Sequence, residues 1–173
     1  MKQFILLFIG MFIAISLFSQ EKKMNQKLFD TESNNEIMIG YCSFAGITDT
    51  TFNSAYKSEY KAFSPDKEIS DQLFSLLDGV TITIVMGTWC SDSREQVPRF
   101  MRLLDISGYA VPDPILICVD RNKKAGDVSL EGMDILKVPT FLVYHYGMEL
   151  GRIIETPKTT LEKDLLTVLK KKL

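Results

Sequence analysis

The sequence has few of the residues that build metal sites. Its 173 residues include one histidine, His145, and three cysteines, Cys42, Cys90 and Cys118. The cysteines are 48 and 28 residues apart, a spacing that matches no zinc-binding pattern, so we expect neither a metal nor any other cofactor. Because three is an odd number, at least one thiol is free or pairs with another molecule.

An excess of charge of one sign is also missing. Twenty Lys and Arg residues stand against 22 Asp and Glu residues, which gives a net charge of -2. This balance gives no electrostatic reason to expect nucleic acid or an anionic membrane surface as a partner. Hydrophobic residues make up 46% of the chain and charged residues 24%, as in soluble globular proteins. The length suits one domain with a hydrophobic core.

The amino terminus carries the longest apolar run. Lys2 precedes an uncharged segment from Phe4 to Phe18, which is shorter than the roughly 20 residues of a comfortable membrane span. Ala14 and Ser16 fit a small-residue cleavage site. We therefore predict that residues 1–19 are a secretory signal peptide, with an uncleaved anchor as the alternative. The mature protein is then extracytoplasmic, in a bacterial periplasm, and contacts the membrane only if the segment is uncleaved.

Residues 20–63 are predicted to form an amino-terminal extension. Its first part, residues 21–35, is polar and typical of a flexible lead-in. A short apolar segment of uncertain type follows at residues 36–47. One helix is then predicted from aromatic residues spaced four and three apart, which are typical of a buried helix face. These aromatic residues are Phe52, Tyr56, Tyr60 and Phe63.

Residues 64–173 have the pattern of a mixed α/β domain. Ser64 followed by Pro65 predicts the start of a helix. A second helix follows Cys90 and contains Pro98, and a third closes the chain. Four apolar segments are predicted as strands: Val80 to Met86, Pro114 to Asp120, Thr140 to His145, and Glu149 to Glu155. This order predicts an α/β sandwich with a mixed sheet.

Three motifs in this domain resemble the thioredoxin family. Trp89-Cys90 lies where a predicted strand meets a helix, and Pro98 follows Cys90 by eight residues. Lys137 to Thr140 (KVPT) precedes the penultimate strand. The resemblance covers residues 68–173, and it implies a three-layer sandwich in which helices flank the central mixed sheet.

The resemblance also implies site residues. Cys90 would be the reactive thiol and would face a cis-proline at Pro139. Trp89, Val138 and Thr140 would join Pro139 in docking a bound peptide strand, with the backbone of Val138 pairing with it. The start of a helix favours an anion, which supports a thiolate at Cys90.

The sequence departs from the family beside the thiol. Ser93 stands where a dithiol enzyme has its second cysteine, so it is the other candidate catalytic residue: either it hydrogen-bonds the thiolate or it is a helix-surface serine. Asp92 opposes a thiolate at Cys90 and Arg94 favours one, although Asp92 is alternatively an ordinary first-turn acid. Ile84 replaces the buried aspartate of thioredoxin, six residues before the cysteine.

The other two cysteines offer limited replacements for the missing thiol. Cys118 is predicted to be buried in its strand, where a free cysteine behaves as a small hydrophobic residue. A disulfide between Cys42 and Cys90 requires their Cα atoms to approach within about 7 Å, which the sequence leaves open. His145 is predicted to be a partly exposed strand residue.

Two functions fit these residues. The first is monothiol exchange, an oxidoreductase or isomerase activity in which Cys90 forms mixed disulfides with protein disulfides or low-molecular-weight thiols and an external thiol resolves them. The alternative is a redox-inactive scaffold that binds peptides or acts as a chaperone. Peroxidase activity is disfavoured because Gly87 replaces the expected threonine, and copper delivery because Arg94 replaces the expected second cysteine.

Overall fold

The computed structural model describes residues 23–109 and 113–172. The strands are β1 (Gln26–Asp30), β2 (Asn35–Cys42), β3 (Val80–Met86), β4 (Ile115–Cys118), β5 (Thr140–His145) and β6 (Met148–Ile154). The helices are α1 (Phe44–Thr48), α2 (Phe52–Ala62), α3 (Lys67–Leu76), α4 (Ser91–Ile106) and α5 (Leu161–Leu169), and a 3-10 turn (Lys170–Lys172) follows α5. The predicted signal peptide lies outside the described residues. Within these two ranges, no helix combines the length and the apolar character that crossing a membrane requires.

The six strands form one mixed sheet in the order β1-β2-β4-β3-β5-β6. Strands β3 and β4 are parallel and are joined through helix α4, whereas every other neighbouring pair is antiparallel. A parallel pair needs such a long crossover connection, while β5 and β6 need only a tight turn. The described residues therefore form a mixed α/β fold with a six-stranded mixed sheet and five helices, which is compatible with the predicted α/β sandwich. Strands β3 and β5 have the predicted bounds.

The two faces of the sheet are covered differently. On the first face, Ile84, Leu116 and Phe141 pack against apolar residues of the five helices. On the second face, Val85 and Leu142 pack against residues from the connection between β4 and β5. The residues of that connection that cover the second face are Ala125, Val128, Leu130, Met133 and Ile135.

The resemblance implied helices on both sides of the sheet, and on the second side a loop takes their place. The connection between β4 and β5 contains four residues with positive φ, a backbone region that interrupts a helix. They are Lys123, Gly126, Gly132 and Asp134. Its apolar residues therefore reach the sheet from successive turns.

The amino-terminal extension is part of the sheet. The predicted flexible lead-in contains β1, which forms a hairpin with β2, and β2 pairs with β4 through Cys42 opposite Leu116. The extension also holds two helices, where one was predicted. Strand β1 was missed because an edge strand that is mostly exposed does not need an apolar face.

Helix α3 starts two residues later than predicted. The carboxylate of Asp66 accepts a 3.1 Å hydrogen bond from the N–H of Ile69, which makes Asp66 the capping residue and not Ser64. Pro98 lies inside α4, as predicted.

Candidate functional site

Cys90 is the residue that begins helix α4. Its backbone N–H donates to the carbonyl of Gly87 at 3.0 Å, which closes a turn between the end of β3 and the helix. The thiol is half-buried, and its Sγ donates to the carbonyl oxygen of Val138 at 3.3 Å. The bond between Val138 and Pro139 is cis. The structure therefore brings together the two segments that the sequence marked as the site.

The segment around Pro139 is held by its own hydrogen bonds. The hydroxyl of Thr140 donates to the carbonyl of Lys137 at 2.7 Å, and the N–H of Glu155 donates to the carbonyl of Pro139 at 2.7 Å. The side chains of Val138, Pro139 and Thr140 are buried. Thr140 thus fixes the loop through its hydroxyl, and its docking role stays a prediction.

Ser93 supports the turn that carries the thiol. Its side chain is fully buried, and its Oγ accepts a 3.3 Å hydrogen bond from the N–H of Gly87. The prediction of a helix-surface serine is therefore wrong, because Ser93 faces the end of β3. Among the described hydrogen bonds, the Ser93 hydroxyl binds Gly87 and not Cys90, so its role there is to hold Gly87 in place.

The two charged residues after Cys90 have separate partners. Arg94 donates from Nε to the carbonyl of Thr88 at 3.0 Å and from Nη2 to the hydroxyl of Thr51 at 3.2 Å. Asp92 lies in the first turn of α4, where a carboxylate is stabilised by the helix dipole. The Glu155 carboxylate, 2.6 Å from Lys137 Nζ, raises the pKa of Lys137, and Asp92 adds a smaller contribution to this effect.

Trp89 is fixed beside the thiol by three contacts. Its Nε1 donates to the carbonyl of Val119 at 2.9 Å, and the guanidinium carbon of Arg121 lies 4.9 Å from its ring centroid. The ring also covers Gly87, where an added Cβ would lie 2.6 Å from the ring atoms. Gly87 therefore leaves the space that the indole ring occupies.

Two further residues of the site were missed by sequence reasoning. The hydroxyl of Thr88 accepts a 3.1 Å hydrogen bond from the N–H of Met38 in β2. Arg121 contacts Trp89 from one side and Asp30 from the other. Neither contact has a local sequence signal, because the partners are 50 and 91 residues apart along the chain.

The pKa of Asp30, the carboxylate partner of Arg121, is strongly lowered. The guanidinium of Arg121, followed by the hydroxyl of Ser33, holds the pKa of Asp30 well below its ordinary value. Asp30 in turn raises the pKa of Arg121. This pair is therefore charged under ordinary conditions.

The remaining cysteines lie away from Cys90. Cys42 and Cys118 are buried in the cluster on the helical face of the sheet, whereas Cys90 packs on the loop face. All three thiols are free. The neighbouring Cys42 thiol and burial raise the pKa of Cys118, which suits the predicted core role of that residue. The structure therefore contains no disulfide between Cys42 and Cys90, a pairing that the sequence left open.

No other predicted residue joins the site. His145 lies at the far end of β5, where it is opposite Val80 at the start of β3. Ile84 is fully buried in β3. Across residues 23–109 and 113–172, no group of three or more possible metal ligands was found.

Comparisons with known proteins give a limited result. No family model and no curated protein matches the chain. Among solved structures, the chain is similar to a protein of unknown function from Pseudomonas aeruginosa, with a TM-score of 0.52 and 15% sequence identity. The match covers 75% of this chain and 96% of that chain. At this identity the likeness is one of fold alone.

Proposed function

We propose that the chain is a thioredoxin-like protein that exchanges thiols and disulfides through Cys90 as its single nucleophile. The strand order β4-β3-β5-β6 supports the proposed fold, as do the helical crossover between β3 and β4 and the β5–β6 hairpin followed by α5. The apolar run in residues 1–19 supports an extracytoplasmic, periplasmic location, where disulfides persist.

The observation that carries the proposal is the position of the Cys90 thiol. It is half-buried at the start of a 16-residue helix and lies 3.3 Å from the carbonyl of Val138, beside the cis peptide bond. The thiolate is the nucleophile in disulfide exchange, so Cys90 reacts after losing the proton that its Sγ donates to the carbonyl of Val138. The partial exposure of the Cys90 thiol and its position at the start of α4 together suit attack on a disulfide.

The proposed reaction has two exchange steps. The Cys90 thiolate attacks one sulfur of a disulfide, so that a bond forms between Cys90 and that sulfur while the other sulfur leaves as a thiolate and takes up a proton. An external thiol then attacks the mixed disulfide, which releases Cys90 and forms a new disulfide. The exchange moves a disulfide from one partner to another without net oxidation or reduction.

Resolution must come from outside because the chain offers no second thiol at the site. Ser93 occupies the position three residues after Cys90, and its hydroxyl cannot attack a disulfide. Cys42 and Cys118 lie on the other face of the sheet. Protein disulfides and low-molecular-weight thiols are therefore the proposed partners.

The second candidate is a redox-inactive peptide-binding scaffold or chaperone-like module. Leu136, three residues before the cis-proline, is 79% exposed and offers an apolar contact that needs no thiol chemistry. This function predicts peptide binding that is unchanged in the C90S variant.

Trapping the mixed disulfide tests the proposal. The reduced protein is incubated with oxidised glutathione and, separately, with a disulfide-bonded peptide, and its intact mass is measured. We expect one adduct that is reversed by an added thiol and is absent in C90S. The C42S variant is the matched control and should form the same adduct. Absence of any adduct on the folded wild-type protein, with adducts appearing after denaturation, would refute exchange through Cys90.

A further inference from the structure

Arg121 links the amino-terminal hairpin to the tryptophan of the site. Its Nε and Nη2 donate to the carboxylate of Asp30 at 2.9 to 3.1 Å, and its Nη1 lies 3.0 Å from a carboxylate oxygen of Glu32. The guanidinium carbon also lies 4.9 Å from the ring centroid of Trp89. One side chain therefore contacts both the turn after β1 and the residue before Cys90.

The carboxylate that holds Arg121 is itself fixed. Asp30 is 8% exposed, and one of its oxygens accepts hydrogen bonds from the hydroxyl and the N–H of Ser33 at 2.5 and 3.2 Å. A planar guanidinium that binds a carboxylate through two parallel hydrogen bonds has little freedom to rotate. The position of the guanidinium over Trp89 is thus determined by the hairpin.

Arg121 is one of the contacts that hold the indole ring. Its Nε1–H donates to the carbonyl of Val119, and the half-buried ring packs against the apolar cluster on the loop face of the sheet. Arg121 closes one ring face and Gly87 leaves room at the ring edge. A cation over the face of an indole ring is attracted to it.

We propose that Arg121 is a positioning residue of the Cys90 site, and that the β1–β2 hairpin acts on this site through Asp30 and Arg121. The hairpin, which precedes the part of the chain that resembles thioredoxin, then determines how the Trp89 ring is presented beside the thiol. The effect on exchange rests on the proposed function, whereas the effect on Trp89 does not.

The chain has a single tryptophan, so fluorescence reports on Trp89 alone. In R121Q we expect acrylamide quenching of this fluorescence to increase by about two- to fivefold, because the ring loses its cationic cover. We expect the rate of adduct formation at Cys90 to change by a similar factor. D30N should change both quantities in the same direction but less, and R121K should restore part of each, because lysine keeps the charge without the two parallel hydrogen bonds.

Lys27→Gln is the matched control. It removes the exposed ion pair between Lys27 and Glu36 in the same hairpin and leaves Arg121 untouched, so quenching and adduct formation should stay at wild-type values. Circular dichroism establishes whether each variant is folded. If R121Q does not fold, the quenching and adduct measurements on D30N test the proposal in its place.

Three results would each contradict a different part of the proposal. Wild-type quenching in folded R121Q and D30N would overturn the positioning of Trp89. Increased quenching with an unchanged exchange rate would overturn the action of the hairpin on the site. A wild-type protein that forms no adduct would contradict the proposed function, and the quenching measurement would then still decide whether Arg121 fixes Trp89.

Discussion

The N–H of Met38 in β2 donates a 3.1 Å hydrogen bond to the hydroxyl of Thr88, the residue before Trp89. Both groups are buried. Removing the acceptor in Thr88→Val therefore leaves a buried N–H without its partner, and we expect the free energy of unfolding to fall by about 1–3 kcal/mol. Urea denaturation measures this loss. Thr88→Ser keeps the hydroxyl and should lose much less, and equal losses in the two variants would contradict the role of the hydrogen bond.

The three cysteines should differ sharply in reactivity. Cys90 is half-buried, whereas Cys42 and Cys118 are 5% and 0% exposed. In the folded protein we expect iodoacetamide to modify Cys90 alone, and in urea all three thiols. Mass spectrometry of peptides from the labelled protein identifies the sites, with C90S as the control that should remain unlabelled when folded. Labelling of Cys42 or Cys118 at the rate of Cys90 would show that the buried thiols open readily.

The ion pair of Asp30 should make stability depend on acid. Because Arg121 and then Ser33 hold the pKa of Asp30 below its ordinary value of 3.8, the unfolded chain takes up this proton at a higher pH than the folded protein. The stabilisation is thus complete above about pH 4 and is lost as the pH falls towards the lower pKa of the folded state. The difference in unfolding free energy between wild type and D30N should be constant from pH 7 to pH 5 and should shrink in stronger acid.

Urea denaturation of both proteins at several pH values measures this difference, and the other titrating groups largely cancel in the subtraction. A difference that grows as the pH falls would contradict the predicted direction.

Gly87 should not tolerate a side chain. A Cβ at this position would lie 2.6 Å from ring atoms of Trp89, closer than atoms pack in proteins. Gly87→Ala is expected to displace the ring, break its hydrogen bond to Val119 and lower stability by about 1–3 kcal/mol. The emission maximum of Trp89 should shift to longer wavelength. Gly151→Ala is the control, because its Cβ would lie 3.2 Å from Lys171 Nζ and 3.3 and 3.4 Å from the methyl groups of Val168, contacts that need only small shifts. An unshifted emission in folded Gly87→Ala would show that the turn adapts without moving the ring.

Local patterns in the sequence were enough to predict the central strands and the two halves of the site. Strand β3 is a β-branched run that begins after a glycine and ends before one, and β5 begins after Pro139, so their bounds follow from composition. The same signals placed Cys90 at a helix start and Pro139 before a strand. A family pattern then predicted that these two segments meet.

The connections made by the extension had no comparable signal. Strand β1 is short, polar and mostly exposed, so no alternation of apolar residues predicts its pairing with β2. Arg121 follows β4 in a loop, and nothing near it indicates that Asp30, 91 residues earlier, will lie beside it. Such contacts depend on the order of strands in the sheet, which the sequence predicts less directly than the strands themselves.

We expect the loop that covers the second face of the sheet to open at a lower free energy than the helical face. Backbone hydrogen bonds within residues 120–133 join residues only three or four positions apart, whereas the helical face is held by a continuous apolar core. Segments with few long-range bonds open at a lower free energy than the whole protein unfolds. The thiol of Cys90, which begins α4 and packs on the loop face, would then lie where these two parts of the molecule meet.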